Sequence, residues 1–185
     1  MDSIISKANK KLGIITHVFR KRDSSTFIPL YKTFVRPLLE YNSVIWSPIT
    51  TKYNDKLEKV QKKMFRLMSD LRDLNYQEKL AKANILSLRA RRILHQLITM
   101  FKMKNNLNDL RFEDFFEKNS YGKTRGNKYK LVAPKFKSSK HKNFFTNDCV
   151  RHWNRLKSSD IEVRSCGLFK NKIMEYFIRE NTCIW

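Results

Sequence analysis

The sequence predicts a mainly α protein: a helical bundle over 1–110, a basic linker over 111–143 and a smaller helical unit over 144–185. Three observations predict it. Apolar residues recur at spacings of three and four through most of the chain, as they do in helices with one buried face. That periodicity lapses between Lys118 and Lys142, where nine Lys and Arg stand with no acid and Gly122, Gly126 and Pro134 discourage a helix. And 41% apolar content over 185 residues is enough for a packed core.

Charge narrows the partner. Lys and Arg number 39 against 17 Asp and Glu, a formal excess of +22 that a compact chain carries when an anionic partner offsets the self-repulsion. Nucleic acid is the expected partner. No apolar run approaches the ~18 residues a bilayer span needs, and the amino terminus lacks the apolar core of a signal peptide, so no membrane partner and an intracellular location, nucleus or cytoplasm, are expected. Cys149, Cys166 and Cys183 are odd in number and widely spaced, with no Cys-x-x-Cys pair, which disfavours a disulfide framework or a zinc knuckle. His141, Cys149 and His152 would make a ligand set one donor short, so no metal and no cofactor are expected.

The first helix should run over Ile4–Phe19, opened by Asp2 or Ser3 and burying Ile4, Ala8, Leu12, Ile15 and Val18 or Phe19, with Gly13 a weak point. After a basic connector, Arg20 to Thr26, whose serines are candidate caps, LYKTFVRPLLEYNSVIWSP (Leu30 to Pro48) should form a helix burying Leu30, Phe34, Val35, Leu38, Tyr41 and Ile45. Pro37 should kink or split it and Pro48 should close it. A third helix, from Asn54 or Asp55 to about Ser69, places Leu57, Val60, Met64, Leu67 and Met68 on one arc. Lys56, Lys59, Lys62, Lys63 and Arg66 fall on the other, with Glu58 as the only acid among them.

A short helix over Leu74–Ala83 should end near Asn84, and Ser87 should cap a long one reaching about Asn105. The long helix would bury Ala90, Ile93, Leu94, Leu97, Ile98, Met100 and Phe101, and present Arg89, Arg91, Arg92, His95 and Lys102 as a second cationic face. A brief helix around FEDFFEK, and one or two extended pieces from KYKLVAPKF, are expected next. Last come two helices, Phe144–Lys157 and Ser165–Asn181, joined by a polar turn. Phe144 or Phe145, Cys149, Val150, Trp153 and Leu156 should pack against Leu168, Phe169, Ile173, Tyr176 and Phe177.

A resemblance bears on function. Leu30, Tyr31, Val35, Arg36, Pro37, Leu39, Glu40, Tyr41, Trp46 and Pro48, followed by Val60, Gln61 and Arg66, resemble in order and spacing the region just after the palm in jockey-like reverse transcriptases of non-long-terminal-repeat retrotransposons. The likeness continues through Lys7 to Gly13, through SLRARR (Ser87 to Arg92), and through Thr124, Arg125, Phe145, Val150, Trp153, Asn154, Leu156, Phe169 and Lys170. Lys157 departs from it, standing where those proteins commonly carry proline. The resemblance implies the thumb and carboxy-terminal region of an RNA-directed DNA polymerase, without fingers and palm. Such a thumb is a helical bundle that holds the template-primer duplex by its backbone, with a separate polymerase palm as a second partner.

Nucleotide transfer needs carboxylates close enough to hold two metal ions, and the sequence has no adjacent aspartates, no phosphate-cradling glycine loop and no nucleophile motif. A non-catalytic chain is therefore expected, contacting RNA or an RNA–DNA duplex through backbone phosphates. The expected contacts are Lys59, Lys62, Lys63 and Arg66 on the third helix, Arg89, Arg91 and Arg92 on the long one, and Lys135, Lys137, Lys140 and Lys142 in the linker. The residues alone leave open a basic helical module that binds a protein partner or an anionic membrane surface, and a genomic remnant with no function.

Overall fold

A computed structural model describes residues 1–46, 50–119, 128–133 and 144–179. It is mainly helical. The helices are α1 (Asp2–Val18), α2 (Ser24–Leu30), α3 (Arg36–Glu40), α4 (Thr51–Leu67), α5 (Tyr76–Lys82), α6 (Leu88–Lys104), α7 (Phe145–Trp153), α8 (Ser158–Ile161) and α9 (Cys166–Arg179). The chain divides into two compact units between Arg91 and Arg92, inside α6, so the expected boundary near 110 falls within the second unit. Pro48 and the linker cations Lys135, Lys137, Lys140 and Lys142 lie outside the described residues.

In the first unit α1 buries Ala8, Leu12 and Ile15, while Val18 and Phe19 at its end are exposed. Its cap position is Met1, whose side chain offers no hydrogen bond, in place of the expected Asp2 or Ser3. α2 is capped by Asp23, whose carboxylate accepts from the Thr26 N–H at 3.0 Å, and not by a connector serine. Lys21 and that N–H hold the Asp23 carboxyl below the usual range. The connector is fixed at its other side too, because the Arg22 carbonyl accepts from Ser69 N–H at 2.8 Å and Asp70 Oδ1 accepts from Ser24 N–H at 3.0 Å.

Between α2 and α3 the backbone makes a π-helical turn, Tyr31–Val35, and this changes which residues face inward. The buried row is Phe27, Tyr31, Val35 and Leu39, each at most 1% exposed. On a regular α-helix residues four apart drift by about 40°, so three such steps would turn the row by about 120° away from the core. One inserted residue, worth about 100°, cancels most of that drift. Pro37 explains the position: it has no N–H to offer, and the Arg36 N–H before it bonds to the Tyr31 carbonyl five residues back. Phe34, expected inside, is therefore turned out, and Tyr41 and Ile45 are exposed because α3 stops at Glu40 and the chain turns through Asn42 at φ 53°.

α4 buries Leu57, Val60, Gln61, Met64 and Phe65, with Met68 just beyond its end. The buried glutamine joins the elements. Tyr31 Oη donates to Gln61 Oε1 at 2.7 Å; Gln61 Nε2 donates at 3.1 Å to both Tyr76 Oη and the Leu86 carbonyl. Tyr76 Oη in turn donates to Glu58, which also accepts from the Leu88 N–H at 3.3 Å. The π-helical turn, α4, α5 and the start of α6 thus share one polar network inside an apolar shell. Burial and the nearby Glu58 raise both tyrosine hydroxyls well above their ordinary pKa, so each stays a donor. α5 opens with a capping box, Asn75 and Glu78 each bonding the other's N–H, and the chain leaves it through Asn84 at φ 48°. Ser87 Oγ then accepts from Ala90 N–H at 3.1 Å to open α6, as its sequence predicts.

The second unit is built on the rest of α6. Phe101 stacks on Phe169 of α9 with ring centroids 4.3 Å apart, and Trp153 of α7 meets the same ring at 6.2 Å. The two C-terminal helices therefore share their core with α6 instead of forming a separate body. Only a 3₁₀ turn, Phe112–Asp114, forms where a helix around FEDFFEK was expected, its Phe112 and Phe116 buried. The expected extended piece is an antiparallel bridge between Lys118 and Leu131. The turn after α7 also holds the short α8, which buries Ile161. In α9 Phe169, Ile173 and Phe177 face inward and Leu168 faces out, as Phe144 does before α7.

Replacing Gln61 by leucine leaves Tyr31 Oη and the Leu86 carbonyl without their partner in the core. Urea unfolding should show a loss of about 2–3 kcal/mol, against about 1 kcal/mol for Tyr31→Phe.

Candidate nucleic-acid interface

The outward side of α4 carries Lys59, Lys62, Lys63 and Arg66, all exposed, at successive offsets of three, one and three residues. The offsets follow from the helix itself, because Val60, Gln61, Met64 and Phe65 take the inward positions. Seven residues of α-helix advance about 10 Å, the length of about three nucleotide steps along one strand. Among the described residues no carboxylate forms an ion pair with any of these four. Glu58, the acid interleaved with them, is half-buried and accepts from Tyr76 Oη and Leu88 N–H, and it forms no ion pair with the four.

The four cations border a groove of about 780 Å³ whose floor includes Ile5, Val60, Phe65 and Tyr76. Lys62 Nζ stands over the Tyr76 ring, 5.0 Å from its centroid, and so is held at the wall. Lys56 is tied at 2.8 Å to Asp2, which holds the Asp2 carboxyl down and the Lys56 ammonium up. Lys79 lines the same groove although only 8% exposed, and its Nζ donates to the Arg72 carbonyl at 3.3 Å. Tyr76 and Lys79 are the groove residues that periodicity missed. The capping box that starts α5 is legible as Asn75 and Glu78, but its placement beside α4 depends on the Gln61 network.

The second expected face does not exist as one. Arg92 is 1% exposed, and Arg91 is part-buried with Nη2 2.9 Å from Glu40 Oε2 and Nε on the other carboxylate oxygen. Arg36 lies 3.7 Å from the same carboxylate. Burial and the proximity of Arg91 lower the Arg36 pKa, while Glu40 opposes the shift. Arg91 holds α3 to the first turn of α6 through Glu40, and Arg92 is buried, so these two expected phosphate contacts are corrected to interior positions. The reason is that burial on α6 extends beyond the predicted arc: Arg92, Gln96 and Met103 are buried along with Ala90, Ile93, Leu94, Leu97, Met100 and Phe101. Arg89 is half-buried on the first turn, and Lys102 is exposed near the last.

Cys149 is fully buried, and burial pushes its thiol pKa up, which opposes the thiolate a metal would need. Among the described residues no group of three His, Cys, Asp or Glu is placed to hold a metal ion, and no helix is long and apolar enough to cross a membrane. Fold and site together define a mainly α protein whose α4 carries exposed cations with no ion pair among the described residues. No protein-family profile, curated protein or solved structure matches the chain.

The two kinds of cation should separate on mutation. Glu40→Gln, which leaves Arg91 and Arg36 without their carboxylate, should cost about 2–4 kcal/mol in chemical unfolding. Lys63→Gln should change stability by less than about 0.5 kcal/mol in the same assay.

Proposed function

We propose that this chain grips the sugar–phosphate backbone of a nucleic-acid duplex, RNA or RNA–DNA, through the outward face of α4, as a thumb-like, non-catalytic part of a retrotransposon RNA-directed DNA polymerase. The observation that carries the proposal is the orientation of charge on α4. Its interleaved acid, Glu58, is half-buried and bonded to Tyr76 Oη and Leu88 N–H, while four exposed cations stand outward over about 10 Å of helix axis with no ion pair among the described residues. A face needed only for solubility carries both signs, since alternating charges stabilise a surface helix. The resemblance of Leu30 to Arg66 to the region after the palm supplies the duplex and the polymerase as context. Phosphate contacts of this kind position a duplex and do not read its bases.

The experiment is a gel-shift titration of the purified chain on an RNA–DNA duplex at several salt concentrations. With Lys59, Lys62, Lys63 and Arg66 each meeting a phosphate, the logarithm of affinity should fall by about 3–4 per logarithm of salt from this face alone. Lys63→Gln should lower that slope by about 0.7–0.9, and the fourfold glutamine variant should lose most of the binding while keeping its helical circular dichroism. Affinity independent of salt, or unchanged in the fourfold variant, would overturn the proposal. So would binding to anionic lipid vesicles with none to nucleic acid.

A further inference from the structure

The second unit has a concentration of charge of its own, built around Tyr129. Asn154 at the end of α7 clamps Leu131, its Nδ2 donating to the Leu131 carbonyl at 3.0 Å and its Oδ1 accepting from the Leu131 N–H at 2.9 Å. Trp153 Nε1 donates to the Tyr129 carbonyl at 3.0 Å. The bridge between Lys118 and Leu131, with Asn119 N–H bonded to the Lys130 carbonyl at 3.1 Å, fixes the facing segment. Backbone held this firmly sets the Tyr129 ring in place. Lys104 Nζ stands 4.5 Å from the ring centroid and Lys128 Nζ 5.2 Å from it.

A cavity of about 250 Å³ opens here, lined by Lys104, Lys118, Lys128 and Lys130 above the apolar side chains of Phe112, Leu131 and Trp153. Among the described residues Glu162 pairs with Lys128 and accepts from Tyr129 Oη at 3.2 Å, and Glu113 lies 3.4 Å from Lys118, while Lys104 forms no ion pair. Its pKa is lowered by burial and then by Lys118, with Lys128 adding to the effect and Glu162 opposing it. Moving a lysine out of water toward other lysines is unfavourable unless an anion joins them.

We propose that this pocket binds a phosphate monoester attached to a flat ring, the chemistry of a single nucleotide, with Lys104 as its main counter-ion and the apolar floor as the seat of the base. The volume decides the scale. It lies just under the ~300–1,000 Å³ of ordinary ligand pockets, enough for one nucleotide and too little for a strand. The ligand is either the phosphorylated end of a nucleic-acid chain or a free nucleotide. The site uses no α4 residue, so it stands independently of the duplex grip.

The test measures binding of a short single-stranded oligonucleotide phosphorylated at both ends against the same oligonucleotide with hydroxyl ends, and of adenosine 5′-monophosphate by calorimetry. The phosphorylated oligonucleotide should bind about tenfold tighter or more, because charge-assisted bonds to a dianion are gained. Lys104→Gln should abolish that preference and Lys104→Arg should keep it, which excludes simple misfolding as the cause. The fourfold α4 variant should keep the ratio even as its overall affinity falls. Monophosphate binding that is lost in Lys104→Gln would mark a free nucleotide as a ligand; an end preference without it would mark the chain terminus. Equal affinity for both ends together with no monophosphate binding, or an end preference that survives Lys104→Gln, would overturn the proposal.

Discussion

One buried amide governs the first unit. Gln61 has two donors and one carbonyl to satisfy away from water, and it does so with groups from three other parts of the chain. An apolar residue there would leave Tyr31, Tyr76 and Leu86 to find partners elsewhere, so the network demands one register of α4 against its neighbours. A half-turn error would bury lysines and strand the tyrosines. The interior polar chain thus does for α4 what a pattern of oily residues alone does loosely: it fixes which way the helix faces, and hence which way its charge faces.

The same logic sorts the arginines and lysines. Guanidinium groups can enter the interior because a carboxylate meets them with two parallel bonds, as Glu40 meets Arg91. Lys59, Lys62 and Lys63 on α4 pair with no carboxylate among the described residues and stay in water. The excess of +22 is therefore not spread over one kind of site. Part of it holds helices together, part lies along α4, and part crowds around Tyr129.

Helix positions were legible in sequence to within a few residues for α1, α4, α5 and α6, because the apolar spacing agrees with the cap at Ser87 and the exit near Asn84. The outward lysines of α4 were legible for the same reason. What escaped has identifiable causes. The helical wheel assumes a constant 100° per residue, and the π turn at Tyr31–Val35 breaks that assumption, so Phe34 was assigned to the wrong side. The wheel also treats every arginine as solvent-facing, and it has no means of anticipating a carboxylate fifty-one residues away, which is why Arg91 was misassigned. The pocket at Tyr129 depends on a bridge and on bonds to Trp153 and Asn154, contacts that no local spacing encodes.

The π turn before Pro37 has one more implication. The segment from Phe27 to Leu39 spaces its inward side chains by fours, which suits only a chain with a spare residue wound into it. Shortening it by one at that turn would restore an ordinary α-helix in which Leu39 still lies only about 20° from Phe27, so the row would keep facing inward. Length is thus constrained in one direction here: a second inserted residue would turn Leu39 by about 100° from the core, whereas loss of the spare one would not.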